Sequence, residues 1–321
     1  MYNVTFSILN KYLFKFNFNG KNMFLINDLT VVIVTYKTND QILDKCIQSI
    51  FGKAKILIVE NSDDKDFKLK YEKKYNNLDV VLSGSNLGYG AGNNKGISLV
   101  KTRYALISNP DVIYENDFFK NLKIYIENNT DFNIIGPMYR SKEYASHGYF
   151  DDLNKHKPQI EHVKDKSLVN THWIVGCTMF IDLEKFESRK LFDENFFLFF
   201  EEFDLCRRTL NKGGKIFASK NLYVKHLGHK GSLAADQKYE KEAAFLRSWH
   251  WMWSSFYYYE KNFSYFYAIK CMYGKFFRSL IKMVFYRIFY NGLKFTMYYG
   301  RVSGIWNRFR GKKSWYRLEI N

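Results

Sequence analysis

Three acids, Glu201, Glu202 and Asp204, follow directly on the aromatic and apolar run FFLFF (Phe196–Phe200). A carboxylate rising from an apolar wall is partly desolvated. That raises its pKa and suits it to take a proton from a hydroxyl. Glu202 and Asp204 are two residues apart, so on a helix they point in different directions. The spacing therefore predicts one catalytic and one structural role. The plainer alternative is a helix start decorated with solvated acid, which the helix dipole also favours.

A second candidate is Asp111, after Asn109-Pro110 at the end of an apolar run. An Asp at such a place is often only a turn residue. It could also be an oxygen ligand for Mg2+ or Mn2+, cations that bind few protein groups and share the rest of their shell with phosphates and water. His226, in KHLGHKGS, could complete such a site, with His229 as the competing choice. The third candidate is GSNLGYGAGNNKG (Gly84–Gly96), with five glycines and three asparagines. It could cradle a phosphate or simply make a tight turn before a helix. It fits neither GxGxxG nor a P-loop, because Asn93 and Gly96 stand where those patterns need other residues.

These groups need a scaffold. LTVVIVTYK (Leu29–Lys37), KILIVE (Lys55–Glu60), DVVL (Asp79–Leu82) and RYALIS (Arg103–Ser108) are short apolar runs that read as buried strands. Between them, Asp40–Phe51 has helical spacing, Lys65–Tyr75 is a charged helix, and a helix is expected over Asn93–Lys101. Strand and helix alternate, which predicts an α/β domain with a mostly parallel sheet. Ligands of such sheets lie beyond the carboxyl ends of the strands. There the sequence puts Thr35 and Tyr36, then Glu60, Asn61 and Ser62, then the glycine loop, then Asn109 to Asp111. Residues 140–170 read as a mobile loop or lid, Thr171–Asp182 as a strand interrupted by glycine, Glu201–Asn211 as a helix, and KIFAS and LYVKH as short strands.

The bulk composition narrows the class. Four dispersed cysteines without a CxxC pair argue against a zinc knuckle and a disulfide framework. Residues 1–28 read as an extension rather than a signal peptide, and no apolar run is long enough for a spanning helix. Of the net charge of +17, +12 falls in residues 245–321, which also hold 26 aromatic residues. Lys275, Arg278 and Lys282 share one face of an expected amphipathic helix over residues 263–290. Such a helix suits an anionic bilayer. A bundle packed on the rest of the chain or on a partner subunit is the other reading. A nucleic-acid partner is not expected, although basic and aromatic residues together can bind single strands.

In their order along residues 30–232, VVIVTYKTNDQILDKCIQSI, LIVENSDD, NLGYGAGNNKGI, SNPDV and FDENFFLFFEEFDLCRRTLNKGGKI resemble the family 2 glycosyltransferases. The resemblance is nearest to the rhamnosyltransferase-like enzymes of bacterial surface polysaccharide and O-antigen synthesis. It implies a GT-A fold over residues 29–244, with a nucleotide half (29–112) and an acceptor half (113–244), followed by the helical tail 245–321. It implies inverting transfer from a dTDP- or UDP-linked sugar, rhamnose first among the candidates, to a lipid-linked glycan, at the inner face of the plasma membrane. By resemblance Thr35, Tyr36, Glu60 and Asn61 hold the base and ribose, and Gly88, Asn93 and Lys95 lie along the donor. Asn109 and Asp111 take the place of an Asp-x-Asp metal motif, with His226 beside them and Mn2+ or Mg2+ as cofactor. Trp173, Gly176, Cys177, Glu201 and Asp204 shape the sugar and acceptor pocket, and Glu202 takes the place of the catalytic Asp. The family has Asp where this chain has Glu60, Asn109 and Glu202, so a non-catalytic sugar-nucleotide-binding or scaffold protein of the same fold is the alternative. The resemblance leaves oligomerisation open.

Overall fold

The computed structural model describes residues 25–139, 146–150, 166–228 and 237–318. Strands β1 (Leu29–Thr35), β2 (Lys55–Glu60), β3 (Leu78–Leu82) and β4 (Tyr104–Ser108) form a parallel sheet in the order β3-β2-β1-β4. Every residue of β1 is buried. This is why its sequence shows no alternation: helices cover both faces. Helix α1 (Asp40–Ile50) buries Leu43, Cys46, Ile47 and Ile50, and the Asn39 side chain caps it by accepting from the amides of Gln41 and Ile42. Helix α2 (Lys65–Lys74) starts on Asp64 in the same way.

Helix α3 spans Tyr89–Leu99, so it begins four residues earlier than the expected Asn93. The physical reason lies in the glycines. A Cβ on Gly92 would come within 2.8 Å of Val34 Cγ1, and one on Gly96 within 2.4 Å of Val32 Cγ1. Most of the glycine-rich stretch is thus a helix face that lets α3 sit directly on β1 and β2, which outweighs the poor helix propensity of glycine.

The sheet continues through β10 (Thr178–Asp182), β6 (Ile134–Tyr139), β11 (Ile216–His226) and β5 (Val112–Tyr114). Strand β10 is antiparallel to β4 and β6. KIFAS and LYVKH, expected as two strands, are one strand, β11, with a register shift between Ser219 and Tyr223. Helix α4 (Phe118–Glu127) packs on β11, and β8 (Leu168–Asn170) pairs with its first half. Strands β7 (His147–Gly148) and β9 (Trp173–Ile174) form a small separate pair. Most of the expected lid, residues 140–145 and 151–165, lies outside the described residues, as do residues 1–24 and His229.

Helix α5 (Glu201–Asn211) leads to three long helices, α6 (Glu240–Asn262), α7 (Tyr265–Ile288) and α8 (Gly292–Phe309). Helix α6 runs through the 244/245 boundary that composition suggests, and it docks on the segment before α5. There Ser254 Oγ donates to the Leu198 carbonyl at 2.8 Å, and Lys261 Nζ lies 2.7 Å from Asp193 Oδ2. A Cβ on Gly304 would lie 2.3 Å from the Trp249 carbonyl, so α8 crosses α6 at very close range. After α8 the chain returns to the sheet. Trp253 Nε1 donates to the Lys312 carbonyl, His250 Nε2 donates to that of Tyr316, and Tyr36 OH donates to that of Leu318 at 2.9 Å. Burial pushes the His250 imidazole down to about 3, so it stays neutral at physiological pH.

Candidate active site

The carboxyl ends of β1 and β2 hold the first half of the site. Glu60 is buried there, and its carboxylate accepts from Thr35 Oγ1, from Ser62 Oγ and from the Ser62 amide at 2.6 Å. Side-chain donors thus orient the carboxylate where a parallel sheet offers a crevice. The cleft at this edge, about 610 Å³, is lined by Lys37, Thr38, Asp40, Glu60, Ser62 and Lys70 among others. Tyr36 forms part of the same edge, with its hydroxyl committed to the Leu318 carbonyl.

Asn61 Nδ2 donates to the Gly88 carbonyl at 3.1 Å and so ties β2 to the start of α3. Gly88 has φ +84°, in the left-handed region that favours glycine. A Cβ there would meet the Phe197 carbonyl oxygen at 2.4 Å. The close approach at Gly88 is therefore to the chain's own FFLFF segment. Lys95 Nζ donates to the carbonyls of Leu82 and Ser83, which fastens the end of β3. Asn93 is fully buried, and its Nδ2 donates to the Tyr89 carbonyl. Of these three loop residues, Lys95 and Asn93 are turned to internal partners.

The second half is built where α5 begins. Phe199 and Phe200 have φ of +68° and +70°. Left-handed backbone at two consecutive non-glycine residues costs about 1–3 kcal/mol each and persists only where the surroundings hold it. This turn sets Glu201 and Glu202 at the head of α5. Gly176 faces Glu202 so closely that a Cβ would lie 3.2 Å from the Glu202 Cβ. Burial pushes the Glu202 carboxyl up to about 7, with backbone hydrogen bonding around Gly176, Phe200 and Phe203 pulling it back in part. Glu201 is buried, and desolvation followed by the charge of Glu202 holds its carboxyl well above the usual range. Among the described residues, Oε2 of Glu201, Oε2 of Glu202 and Oδ1 of Asn93 are enclosed without a hydrogen-bond partner. Enclosed acceptors left unpaired are costly, and they call for a donor from elsewhere.

Tyr89, the first residue of α3, joins the two halves. Its hydroxyl donates to the Gly176 carbonyl, and burial, then Cys177, Glu201 and Glu202, keep it from ionising. Sequence reasoning missed Tyr89. The signal was present, since it is the one aromatic residue inside the glycine-rich stretch. Cys177 is buried behind it, and its carbonyl accepts from the Asn109 amide at 2.8 Å. Trp173 lies against Phe203, 5.1 Å between ring centres. Asp204, fully buried, faces the other way: Arg208 Nε lies 2.7 Å from its Oδ2 and Lys261 Nζ 2.9 Å. It ties α5 to α6, while Glu202 on the same helix faces Gly176.

Asp111 and His226 meet where β5 begins and β11 ends. Strand β11 pairs His226 with Val112, and Asp111 Oδ1 lies 3.2 Å from His226 Nε2. Among the described residues no third acid, cysteine or histidine joins them. One carboxylate and one imidazole fit a hard divalent cation that takes its other ligands from phosphate and water.

A parallel run of four strands with a crevice at its carboxyl edge, continued by a mixed half that is entered through the antiparallel β10, makes this an α/β fold of the GT-A type. The match to the crystal structure of GalNAc-T7 with UDP, GalNAc and Mn2+ supports the fold, with a TM-score of 0.50 at 14% identity over 71% of this chain and 50% of that one. Residues 30–189 match the family described as Glycosyl transferase family 2. The chain is 27% identical over 203 residues to the low-salt glycan biosynthesis hexosyltransferase Agl10 of Haloferax volcanii, covering 58% of this chain and 62% of that protein. It is 25% identical over 197 residues to the rhamnosyltransferase WbbL of Escherichia coli K12, covering 54% and 73%.

Proposed function

We propose that the chain is an inverting glycosyltransferase that moves a sugar from a nucleoside-diphosphate donor to a hydroxyl of a lipid-linked glycan. The observation that carries this reading is Glu202, a carboxylate held near neutrality by burial, with one oxygen unpaired, at the seam between the two halves of the fold. In the proposed reaction the acceptor oxygen attacks the anomeric carbon and its proton passes to Glu202. The bond from that carbon to the diphosphate breaks, and the nucleoside diphosphate leaves with the electron pair. Glu60, Thr35 and Asn61 orient the nucleoside, and Tyr89 with Gly176 keeps the acid pair registered against the start of α3. Asp111 and His226 would hold Mn2+ or Mg2+, which when bound supplies positive charge to the diphosphate. A dTDP- or UDP-linked hexose fits the family, and rhamnose is the first candidate on the likeness to WbbL.

The test is a melting-temperature panel with dTDP, UDP and GDP, with and without Mn2+, followed by donor consumption. A ligand of the folded state alone raises the melting temperature by mass action. One nucleotide should stabilise, more so with metal, and its sugar should be released from the donor slowly even without acceptor. A nucleotide shift without any turnover would favour the scaffold alternative, and no shift at all would overturn the reading.

The lipid-linked acceptor fits α7. Phe266, Tyr273, Phe277, Ile281, Val284 and Ile288 repeat along one face of the helix and are exposed, Phe266 to 81% and Ile281 to 69%. Exposed Lys275, Arg278 and Lys282 flank that stripe. No helix among the described residues is long and apolar enough to cross a membrane. An apolar stripe edged with cations suits the surface of an anionic bilayer. Ile281→Glu should lower co-sedimentation with vesicles containing phosphatidylglycerol by about tenfold, losing buried apolar surface and adding repulsion. Equal binding of the variant, or of neutral vesicles, would refute the surface role. A concentration-dependent dimer that the variant splits would assign the stripe to a second subunit instead.

A further inference from the structure

A second cavity, of about 360 Å³, lies between α6 and α8 beside the FFLFF turn, away from the nucleotide cleft. It opens beyond the point where Gly300 and Gly304 bring the two helices together. Arg247 and Arg301 enter it from the two helices, with Phe199, Trp251, Leu293 and Met297 as apolar wall. Arg247 is half-buried and has no hydrogen bond or ion pair among the described residues, and burial pulls its pKa below the ordinary value. The one acid on the wall, Glu240, lies on the same helix and offsets part of the charge without forming a salt bridge to Arg247. Among the described residues Arg301 has no ion pair, and its guanidinium lies over the ring of Tyr298 at 5.0 Å. A half-buried guanidinium without a partner is unfavourable, and it recognises phosphate in particular when an oxyanion is supplied.

The cavity adjoins the start of α5. Trp251 packs edge-on against both Phe199 and Phe200, at 5.3 and 5.2 Å, and Phe200 is the residue from which α5 starts. An occupant of this cavity therefore sits within one turn of chain from Glu201 and Glu202. Two cations above an apolar wall are complementary to an amphiphile with a phosphoryl head.

We infer that the α6–α8 cavity binds the lipid phosphate of the acceptor, with Arg247 and Arg301 on the phosphoryl oxygens and Trp251, Leu293 and Met297 on the first part of the hydrocarbon chain. This rests on the proposed transfer to a lipid-linked acceptor and names the group that positions it.

The experiment is calorimetric titration of the full chain with farnesyl diphosphate below its micellar concentration, with sodium pyrophosphate and farnesol as separate arms. Nucleotide-induced melting shifts are measured on the same samples. Farnesyl diphosphate should bind at least about tenfold more tightly than either fragment, and Arg247→Gln or Arg301→Gln should each weaken it about tenfold, the loss of one charge-assisted bond. The nucleotide shift should be unchanged in both variants. Pyrophosphate binding as tightly would reduce the site to a free-phosphate site and overturn the lipid assignment. Farnesol binding as tightly, or no loss in either variant, would overturn the role of the arginines. Should Arg247→Gln fail to fold, Arg301→Gln on the other helix gives the same answer. Nucleotide shifts without farnesyl diphosphate binding would sink this inference alone, and the converse would sink the proposed donor.

Discussion

Glu202→Gln is expected to leave nucleotide binding intact and to lower sugar transfer by about 10²- to 10⁴-fold, the range that a positioned general base contributes. The substitution keeps the shape of a side chain packed against Gly176 and removes only its capacity to accept the proton. The pH profile offers a second readout. Burial holds the carboxyl up to about 7, so the ionised, competent form is lost as pH falls through neutrality. Transfer by the wild-type protein should thus fall on the acidic side with a midpoint near 7, unlike an ordinary carboxylate.

Stability should move in the opposite sense. The folded pKa is raised above the unfolded value, so the folded state binds the extra proton between pH 4.5 and about 7. The contribution is full below the unfolded pKa and is lost as pH rises through the folded one. It is worth up to about 3 kcal/mol. Glu202→Gln should therefore melt higher than wild type at pH 8 and nearly alike at pH 4. Turnover within tenfold of wild type, with no change in the acidic limb, would remove Glu202 from the role of base.

Asp111→Ala is expected to abolish the metal-dependent part of nucleotide binding. Asp111 is buried, and its Oδ1 meets His226 Nε2 at 3.2 Å. Without the carboxylate, one imidazole remains, too little to hold a hard cation at a diphosphate. A tenfold loss of affinity should reduce the nucleotide's melting shift by about 2–4 °C when ligand is in excess. His226→Ala should remove the same increment, because the two side chains act as one donor set. If either variant kept the full Mn2+ increment, the cation would have to be held elsewhere. Melting without nucleotide serves as the control, since Asp111, just before β5, also ties that strand's start to the end of β11 through its backbone carbonyl and the Leu227 amide.

Short apolar runs made the first four strands legible and helical spacing made α1 so, because a central strand covered on both faces is apolar throughout and a helix covering it carries a stripe. The acid cluster after FFLFF was legible for a similar local reason: carboxylates beside aromatic residues are desolvated wherever the chain folds. Asp111 and His226 could be named as a pair, yet only the β11–β5 pairing brings them together across more than a hundred residues. The glycine-rich stretch was the hardest to interpret. Its composition says that something approaches the backbone closely, and it cannot say what. The fold supplies Val32 and Val34 for two glycines, and the Phe197 carbonyl for Gly88.

Tyr36 closing on Leu318, Asp204 held by Lys261 and the cavity between α6 and α8 belong to the same class. Each joins residues remote in sequence, whose types are ordinary and whose meeting has no local signature. By itself, the sequence determined the α/β alternation, the order of the motifs and the acid at the head of α5, since propensity, burial and helix capping act over a few residues. Tertiary structure alone decided which acid is paired and which is left unpaired, what the glycines touch, and that the basic tail docks through α6 and returns to the edge of the crevice, because those outcomes depend on which surfaces the sheet and helices bring within contact.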